Sequence, residues 1–144
     1  MPETTHRKAD HPIQNLLLNR WSPRAMTGES IDQETLNSLF EAARWAPSSF
    51  NEQPWRFLYA KRETPHFQKF FDLLIPFNQQ WCKQATVLAV IIARMTYEKN
   101  NVPSPSHALD TGAAWENLFL EGVSRSLVIH GMSVFDYHKA RTFL

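Results

Sequence analysis

The sequence has few of the residues on which many cofactor and metal sites are built. Its 144 residues include one cysteine, Cys82, and four glycines. A single cysteine excludes an internal disulfide and a multi-cysteine metal site, and it fits a reducing compartment. The glycines form neither a G-x-G-x-x-G pattern nor a P-loop. We therefore expect no nucleotide site built on backbone amides, so side chains would have to hold any phosphate.

An excess of charge and a long apolar run are also lacking. The formal net charge is +1, so no broad electrostatic field favours nucleic acid or an anionic membrane as a partner. The longest apolar run, Val87 to Ala93, is far shorter than the roughly 20 residues that span a bilayer. Residues 1–10 are polar and contain no apolar segment typical of a secretory signal. We expect a flexible leader over these ten residues and a cytoplasmic protein.

Two classes of enzyme site are not expected. The six histidines show neither H-x-x-x-H nor H-E-x-x-H spacing, so the sequence predicts no metal site. No G-x-S-x-G pattern surrounds a serine, which argues against a hydrolase that would use His130 and Asp110. Cys82 has apolar neighbours and is predicted to be a buried, inert thiol.

The length and composition predict one soluble globular domain over residues 1–144. Asp32 and Asp136 are predicted helix N-caps, and the polar residues 78–84 are predicted to be a connection. The apolar run at residues 86–93 has no polar face, which predicts a central strand covered on both sides. Helices are predicted near residues 13–20, 33–46, 64–74, 110–122 and 136–144, and strands near 55–60, 86–93 and 127–129.

Arg20, Ser22 and Arg24 form the first candidate for a binding site. In an extended segment, side chains two residues apart point to the same side, so two guanidinium groups and a hydroxyl would converge. Such a cluster matches a phosphate, because arginine offers planar, charge-assisted donors. The alternative is a solvated loop whose arginines serve solubility.

The segment from Pro47 to Pro54, which we call the polar strip, is the second candidate. Its two prolines fix φ, so the polar side chains between them lose less freedom when they bind a ligand. These side chains offer donors and acceptors suited to a polyhydroxyl chain or the edge of a heterocycle. The alternative is a turn at the end of a helix, in which the serines and Asn51 satisfy backbone groups.

Taken together, these patterns resemble the FMN-dependent nitroreductase family. The order Arg20-Trp21-Ser22-Pro23-Arg24, a helix, and then P-S-S-x-N-x-Q-P-W from Pro47 to Trp55 matches the family. Three later segments also match: Asn78 ahead of the apolar strand, Asp110-Thr111-Gly112-Ala113-Ala114, and His130-Gly131-Met132. The resemblance runs from about Arg20 to the last residue.

The resemblance implies an α+β fold, with an α/β/α sandwich around a mixed central sheet that dimerisation completes. It also implies a homodimer with FMN in the interface. The implied flavin contacts are Arg20, Ser22 and Arg24 at the phosphate and ribityl chain, Pro47, Ser48, Ser49 and Asn51 from the other subunit, Asn78, and the backbone of His130 and Gly131 beside the flavin ring.

The implied activity is that of an oxidoreductase without an acid/base dyad, because the cofactor carries the redox step. NAD(P)H would reduce FMN, and a small acceptor such as a nitroaromatic or a quinone would then be reduced in a ping-pong cycle. A dehalogenating or flavin-destroying relative is a rival within the fold. A truncated, non-catalytic fragment that binds flavin or dimerises is the alternative from another class.

Three departures from the family pattern bear on that implication. Trp81 stands where many members have a basic residue, and Ser124-Arg125-Ser126 stands where glycine usually ends the central helix. The family's last segments, which supply basic residues and an arm that embraces the partner, are expected to be missing.

Overall fold

A computed structural model describes residues 7–143. Most of the predicted leader therefore lies outside the described residues. The elements in chain order are α1 (Asn15–Asn19), α2 (Gln33–Arg44), β1 (Trp55–Lys61), α3 (Phe67–Phe71), α4 (Pro76–Cys82), β2 (Val87–Ala93), α5 (His107–Ser124) and α6 (Tyr137–Phe143). A 3-10 turn at Ser49–Asn51 lies within the polar strip.

The two predicted N-caps are confirmed. The Asp32 carboxylate accepts a hydrogen bond from the Thr35 backbone N–H at 2.6 Å, at the start of α2. The same contact lowers the pKa of Asp32, because the hydrogen bond favours the charged form. At the start of α6, the Asp136 carboxylate accepts from the Lys139 backbone N–H at 2.8 Å. These short polar side chains satisfy backbone donors that a helix leaves unpaired at its first turn.

β1 and β2 form an antiparallel pair, with Trp55 opposite Ala93 and Lys61 opposite Val87. Alternate side chains of a strand point to opposite faces, and both faces are used. Leu58 and Ala60 pack with α3 and α4, while Trp55 and Phe57 pack with α2 and α5. The α+β class and the sandwich of helices on both sides of a sheet are therefore confirmed.

Three details of the predicted elements are wrong. Residues 127–129 do not form a strand, and the sheet of the described residues has two strands. β2 is not covered on both sides, since Ile92 is 40% exposed and β1 is its one partner in that sheet. Residues 78–82 are helical, because α4 begins with Pro76 in the first helical turn, where a missing N–H has no consequence.

The unpaired edge of β2 borders a cavity of about 760 Å³. Its lining is mainly apolar and comes from α2, β2, α5 and the segment 126–133, with Leu39, Phe57, Val90 and Ile129 among the contributors. Residues of β2 from Val87 to Ile91 contribute to this lining, so the strand is not closely covered there. That geometry explains why an apolar run that predicts a central strand is half exposed.

The end of α5 is closed by a Schellman motif without glycine. The Leu127 N–H donates to the Gly122 carbonyl at 2.9 Å, and the Ser126 N–H donates to the Val123 carbonyl at 3.0 Å. Ser126 has a φ of 60°, the left-handed conformation for which glycine is usually required. Serine therefore takes the left-handed position of the motif in this chain, where glycine is the usual residue.

Candidate functional site

The segment Arg20–Arg24, which we call the arginine loop, follows α1 and is held on two sides by aromatic rings. The Arg20 guanidinium lies 5.2 Å from the centre of the Phe119 ring in α5, and its Nε is 3.8 Å from Glu116 Oε1. The Arg24 guanidinium lies 5.5 Å from the centre of the Phe77 ring in α4. Cation–π contacts of this kind orient a guanidinium and leave its N–H donors available.

His130 joins the arginine loop to the segment that follows α5. Its Nδ1 is 2.9 Å from the Pro23 carbonyl oxygen, and because a carbonyl can only accept, the Nδ1–H donates. The His130 ring also packs on Trp81, with ring centres 4.3 Å apart. The side chain of His130 therefore has a role in the loop's position, in addition to the backbone role that the resemblance implies.

Asn78 is buried, and its amide is used inside the chain. Its Nδ2 donates to the Val134 carbonyl at 3.2 Å, and its Oδ1 accepts from Trp81 Nε1 at 3.2 Å. Asn78 thus ties α4 to the segment after His130. Trp81, noted above as a departure from the family pattern, takes part in this arrangement through both its N–H and its ring.

At Gly131 the segment around His130 passes close to Trp115 of α5. A Cβ at position 131 would lie 2.6 Å from Cζ2 of Trp115, which is too close for any other residue type without a shift. Trp115 in turn packs edge-on against Phe119, with ring centres 5.5 Å apart. Because Phe119 lies under Arg20, a continuous set of contacts connects Gly131 to the arginine loop.

The polar strip lies at the other end of α5. The Ser49 backbone N–H donates to Asp110 Oδ2 at 3.1 Å, in the first turn of that helix. Ser48 Oγ accepts from the Gln53 backbone N–H at 3.0 Å. The alternative role, in which strip side chains satisfy backbone groups, therefore applies to Ser48. Asn51 and Pro47 are exposed.

The predicted site residues thus fall into two groups within one chain. Arg20, Arg24, Asn78, His130 and Gly131 are brought together around the arginine loop, which also carries the exposed Ser22. The strip residues contact α5 at position 110, six residues before Glu116 and nine before Phe119. At a rise of 1.5 Å per residue, that separation is about 9–14 Å along the helix.

Sequence reasoning missed the residues that support the two groups. Asp110, Trp115, Glu116 and Phe119 all lie on α5, and Asp110 is a carboxylate that is only 7% exposed. A signal was present, because two acidic and two aromatic side chains in one helix must each find partners of matching chemistry. Partners of Asp110, Glu116 and Phe119 lie 60 or more positions away in the chain, and periodicity does not carry that information.

The predicted burial of Cys82 is confirmed. The side chain is fully buried between α4 and the sheet, and desolvation raises the pKa of its thiol. In the part of the chain from residue 7 to 143, no three histidine, cysteine or acidic side chains come together as metal ligands. Over that same part, no helix has the length and apolar character needed to cross a membrane.

Comparison with known proteins places this geometry in a family. A model of the nitroreductase family matches residues 17–144. A crystal structure of an FMN-containing oxidoreductase superposes with a TM-score of 0.92 at 36% identity, over 99% of this chain and 74% of that one. A nitroreductase family protein from Streptococcus pneumoniae TIGR4 shares the fold, with a TM-score of 0.74 at 19% identity, over 89% of this chain and 80% of that one.

A curated relative agrees with the structural matches. Over 94 residues the chain is 28% identical to the major NAD(P)H-flavin oxidoreductase of Aliivibrio fischeri. The aligned stretch covers 63% of this chain and 43% of that protein. The chain therefore spans less than half of that relative's length. Since the family model covers most of the sequence, the chain belongs to the nitroreductase family.

Proposed function

We propose that the chain is a single-domain, FMN-dependent oxidoreductase that acts as a homodimer in the cytoplasm. NAD(P)H is the proposed electron donor, and a small molecule such as a nitroaromatic or a quinone is the proposed acceptor. The two substrates would bind in turn, in a ping-pong order. Support comes from family membership and from two similar proteins, one described as an NAD(P)H-flavin oxidoreductase and one as an oxidoreductase containing FMN.

One observation carries the proposal. Five of the residues expected to contact FMN come from segments up to 111 residues apart, since 131 minus 20 is 111, and they surround the arginine loop. The Pro23–His130 hydrogen bond and the Arg24–Phe77 contact hold the loop against the other segments. A solvated loop with arginines for solubility would not require such contacts.

The residues present fit FMN. Arg20 and Arg24 would hold the phosphate, because each is oriented by a ring contact that leaves guanidinium donors available. The exposed backbone at Gly131 would lie beside the flavin ring. Bound FMN would supply the redox chemistry, so the chain's own residues need only bind the flavin, orient it and admit substrates.

A second copy of the chain would complete the site. The polar strip carries Phe50, which is 90% exposed, and Leu109 in the neighbouring first turn of α5 is 77% exposed. Exposed apolar side chains that form one patch mark an interaction surface, and we propose that these two belong to the interface between the subunits. The strip of one subunit would then reach the flavin held by the arginine loop of its partner, which accounts for the separation of the two groups within one chain.

The first test measures whether the protein binds flavin, and how tightly. Purified protein is stripped of cofactor and titrated with FMN and with riboflavin, following the visible absorbance and fluorescence of the flavin. We expect saturable binding of FMN that is tighter than that of riboflavin, because the arginines hold the phosphate. Absence of flavin binding at any concentration would rule the proposal out.

A second experiment distinguishes the proposed enzyme from the alternative, a fragment that binds flavin without turnover. The flavin-loaded protein is mixed with NADH or NADPH under anaerobic conditions, and the flavin absorbance near 450 nm is followed. We expect rapid bleaching and then recovery when a quinone is added. Bound flavin that never bleaches would support a flavin-binding fragment without turnover.

A further inference from the structure

The polar strip is backbone-strained at three positions. Phe50, Asn51 and Gln53 have φ values of 54°, 56° and 48°, in the left-handed region that side chains other than glycine disfavour. Each such residue persists only when its surroundings over-determine it, and strain of this kind concentrates at binding sites. The strip must therefore be held in place by contacts outside itself.

Asp110 supplies such a contact at the point where the strip begins to turn. A single carboxylate oxygen, Oδ2, accepts the Ser49 backbone N–H at 3.1 Å and the Ser106 hydroxyl at 3.0 Å. The carboxylate is buried in the first turn of α5, where the unpaired N–H groups of a helix favour a negative charge. Ser49 lies 61 positions earlier in the chain, so this bond ties the strip to the helix.

We propose that Asp110 is a positioning residue for flavin binding, which acts by holding the polar strip in its strained conformation. The inference rests on the proposed function. Since the strip is proposed to reach the partner's flavin, Asp110 of one subunit would shape the site centred on the other. Its action would be on a part of the flavin away from the phosphate, which the arginine loop would hold.

The first experiment compares Asp110→Ala with Asp110→Asn. Asparagine keeps an oxygen that can accept both hydrogen bonds, whereas alanine leaves the Ser49 N–H unpaired. We expect Asp110→Ala to weaken the binding of FMN and of riboflavin by the same factor. That factor is about ten- to a hundredfold, for the loss of a charge-assisted hydrogen bond. We expect Asp110→Asn to recover most of that loss.

The second experiment removes the same bond from its other end and serves if Asp110→Ala does not fold. Ser49 is the first residue of the 3-10 turn, and Ser48 before it is extended, with φ −148° and ψ 154°. Proline fits such a position and lacks the N–H. Ser49→Ala is the matched control, because it removes the hydroxyl, which is an expected flavin contact, and keeps the N–H. The further loss of flavin affinity from Ser49→Ala to Ser49→Pro should therefore match the loss caused by Asp110→Ala. In the Asp110→Ala background, Ser49→Pro should bind flavin no more weakly than Ser49→Ala.

The outcomes separate the inference from the proposed function. Wild-type protein that binds no flavin would overturn both. Flavin binding by wild type, with unchanged affinities in Asp110→Ala and Ser49→Pro, would overturn the positioning role alone. Fully additive effects of the two substitutions, or a loss confined to FMN with riboflavin unaffected, would also overturn it, because neither follows from a shared bond to the strip.

Discussion

His130 donates its Nδ1–H to the carbonyl oxygen of Pro23, which lies 107 positions earlier in the chain, at a distance of 2.9 Å. The bond connects the segment expected beside the flavin ring with the loop expected at the phosphate. Trp81 packs on the same imidazole, with ring centres 4.3 Å apart. A contact of this kind makes the position of the arginine loop depend on residues far away in sequence.

We predict that His130→Leu weakens the binding of FMN more than the binding of riboflavin. Loss of the hydrogen bond would leave the arginine loop less fixed at the phosphate and would not change the rest of the site. The expected loss for FMN is about two- to tenfold, corresponding to one neutral hydrogen bond of roughly 0.5–1.5 kcal/mol. His130→Asn is the matched control, since its amide nitrogen can occupy the place of Nδ1 and should restore binding. Flavin titration measures both, and equal affinities in wild type and His130→Leu would contradict the prediction.

Arg20 and Glu116 provide a pair of opposite substitutions. Arg20→Ala should weaken FMN by roughly 1.5–3 kcal/mol, or ten- to a hundredfold, and should affect riboflavin much less. Glu116→Gln should have the opposite sign, because it removes a carboxylate that lies 3.8 Å from the Arg20 guanidinium and competes for it. For a pair this exposed, the expected gain in FMN affinity is about 1.5- to fivefold.

The ionic-strength dependence checks the same pair. The gain from Glu116→Gln should shrink as salt rises from low concentration to about 1 M, since the charges are partly exposed and the screening length falls to about 3 Å. If Arg20→Ala weakened FMN and riboflavin equally, Arg20 would be a structural residue and the phosphate assignment would fail.

Local features of the fold were predictable from the sequence, and contacts between distant segments were not. Asp32 and Asp136 cap helices through backbone groups three residues away, so the pattern alone identifies them. The exposure of β2 depends on which strands pair with it, which an apolar run does not specify. The helix α4 had a local signal in Pro76, whose place in the first helical turn outweighs the polar character of the residues after it.

In the candidate site too, residue types were predictable from the sequence and contacts between distant segments were not. The residue types at Arg20, Arg24 and the polar strip indicate a ligand with a phosphate and a polar ring edge. The sequence could not show that Asp110 binds the strip, or that Trp81 packs on His130. Those contacts depend on how α5 lies between the two ends of the chain, which only the folded structure determines.

The Schellman motif after α5 allows a prediction about stability. Ser126 is left-handed, with a φ of 60°, and a left-handed non-glycine residue costs about 1–2 kcal/mol. Ser126→Gly removes that strain, and the extra freedom of glycine in the unfolded chain offsets part of the gain. We expect a net rise of about 0.5–1 kcal/mol in the free energy of unfolding.

Urea denaturation of the chain measures this change, with Ser124→Gly as the matched control. Ser124 is the last helical residue of α5, and its hydroxyl donates to the Glu121 carbonyl at 2.7 Å. Glycine there should lower the free energy of unfolding by about 0.5–1 kcal/mol. Equal effects of the two substitutions would show that the left-handed conformation at 126 carries no strain.

The composite site across a dimer predicts complementation between two defective subunits. In a mixed dimer of an Arg20→Ala subunit and an Asp110→Ala subunit, the intact arginine loop of the second would meet the intact strip of the first. One site of each mixed dimer would then bind FMN with wild-type affinity, and the other site would carry both defects. If the strip acted within its own chain, every site would carry one defect and no wild-type affinity would return.

Mixed dimers are made by co-expression with two different affinity tags and isolated in two steps, and FMN titration then gives the number of tight sites per dimer. We expect one tight site per mixed dimer and none in either parent dimer, and mixed dimers without a tight site would contradict the arrangement in trans.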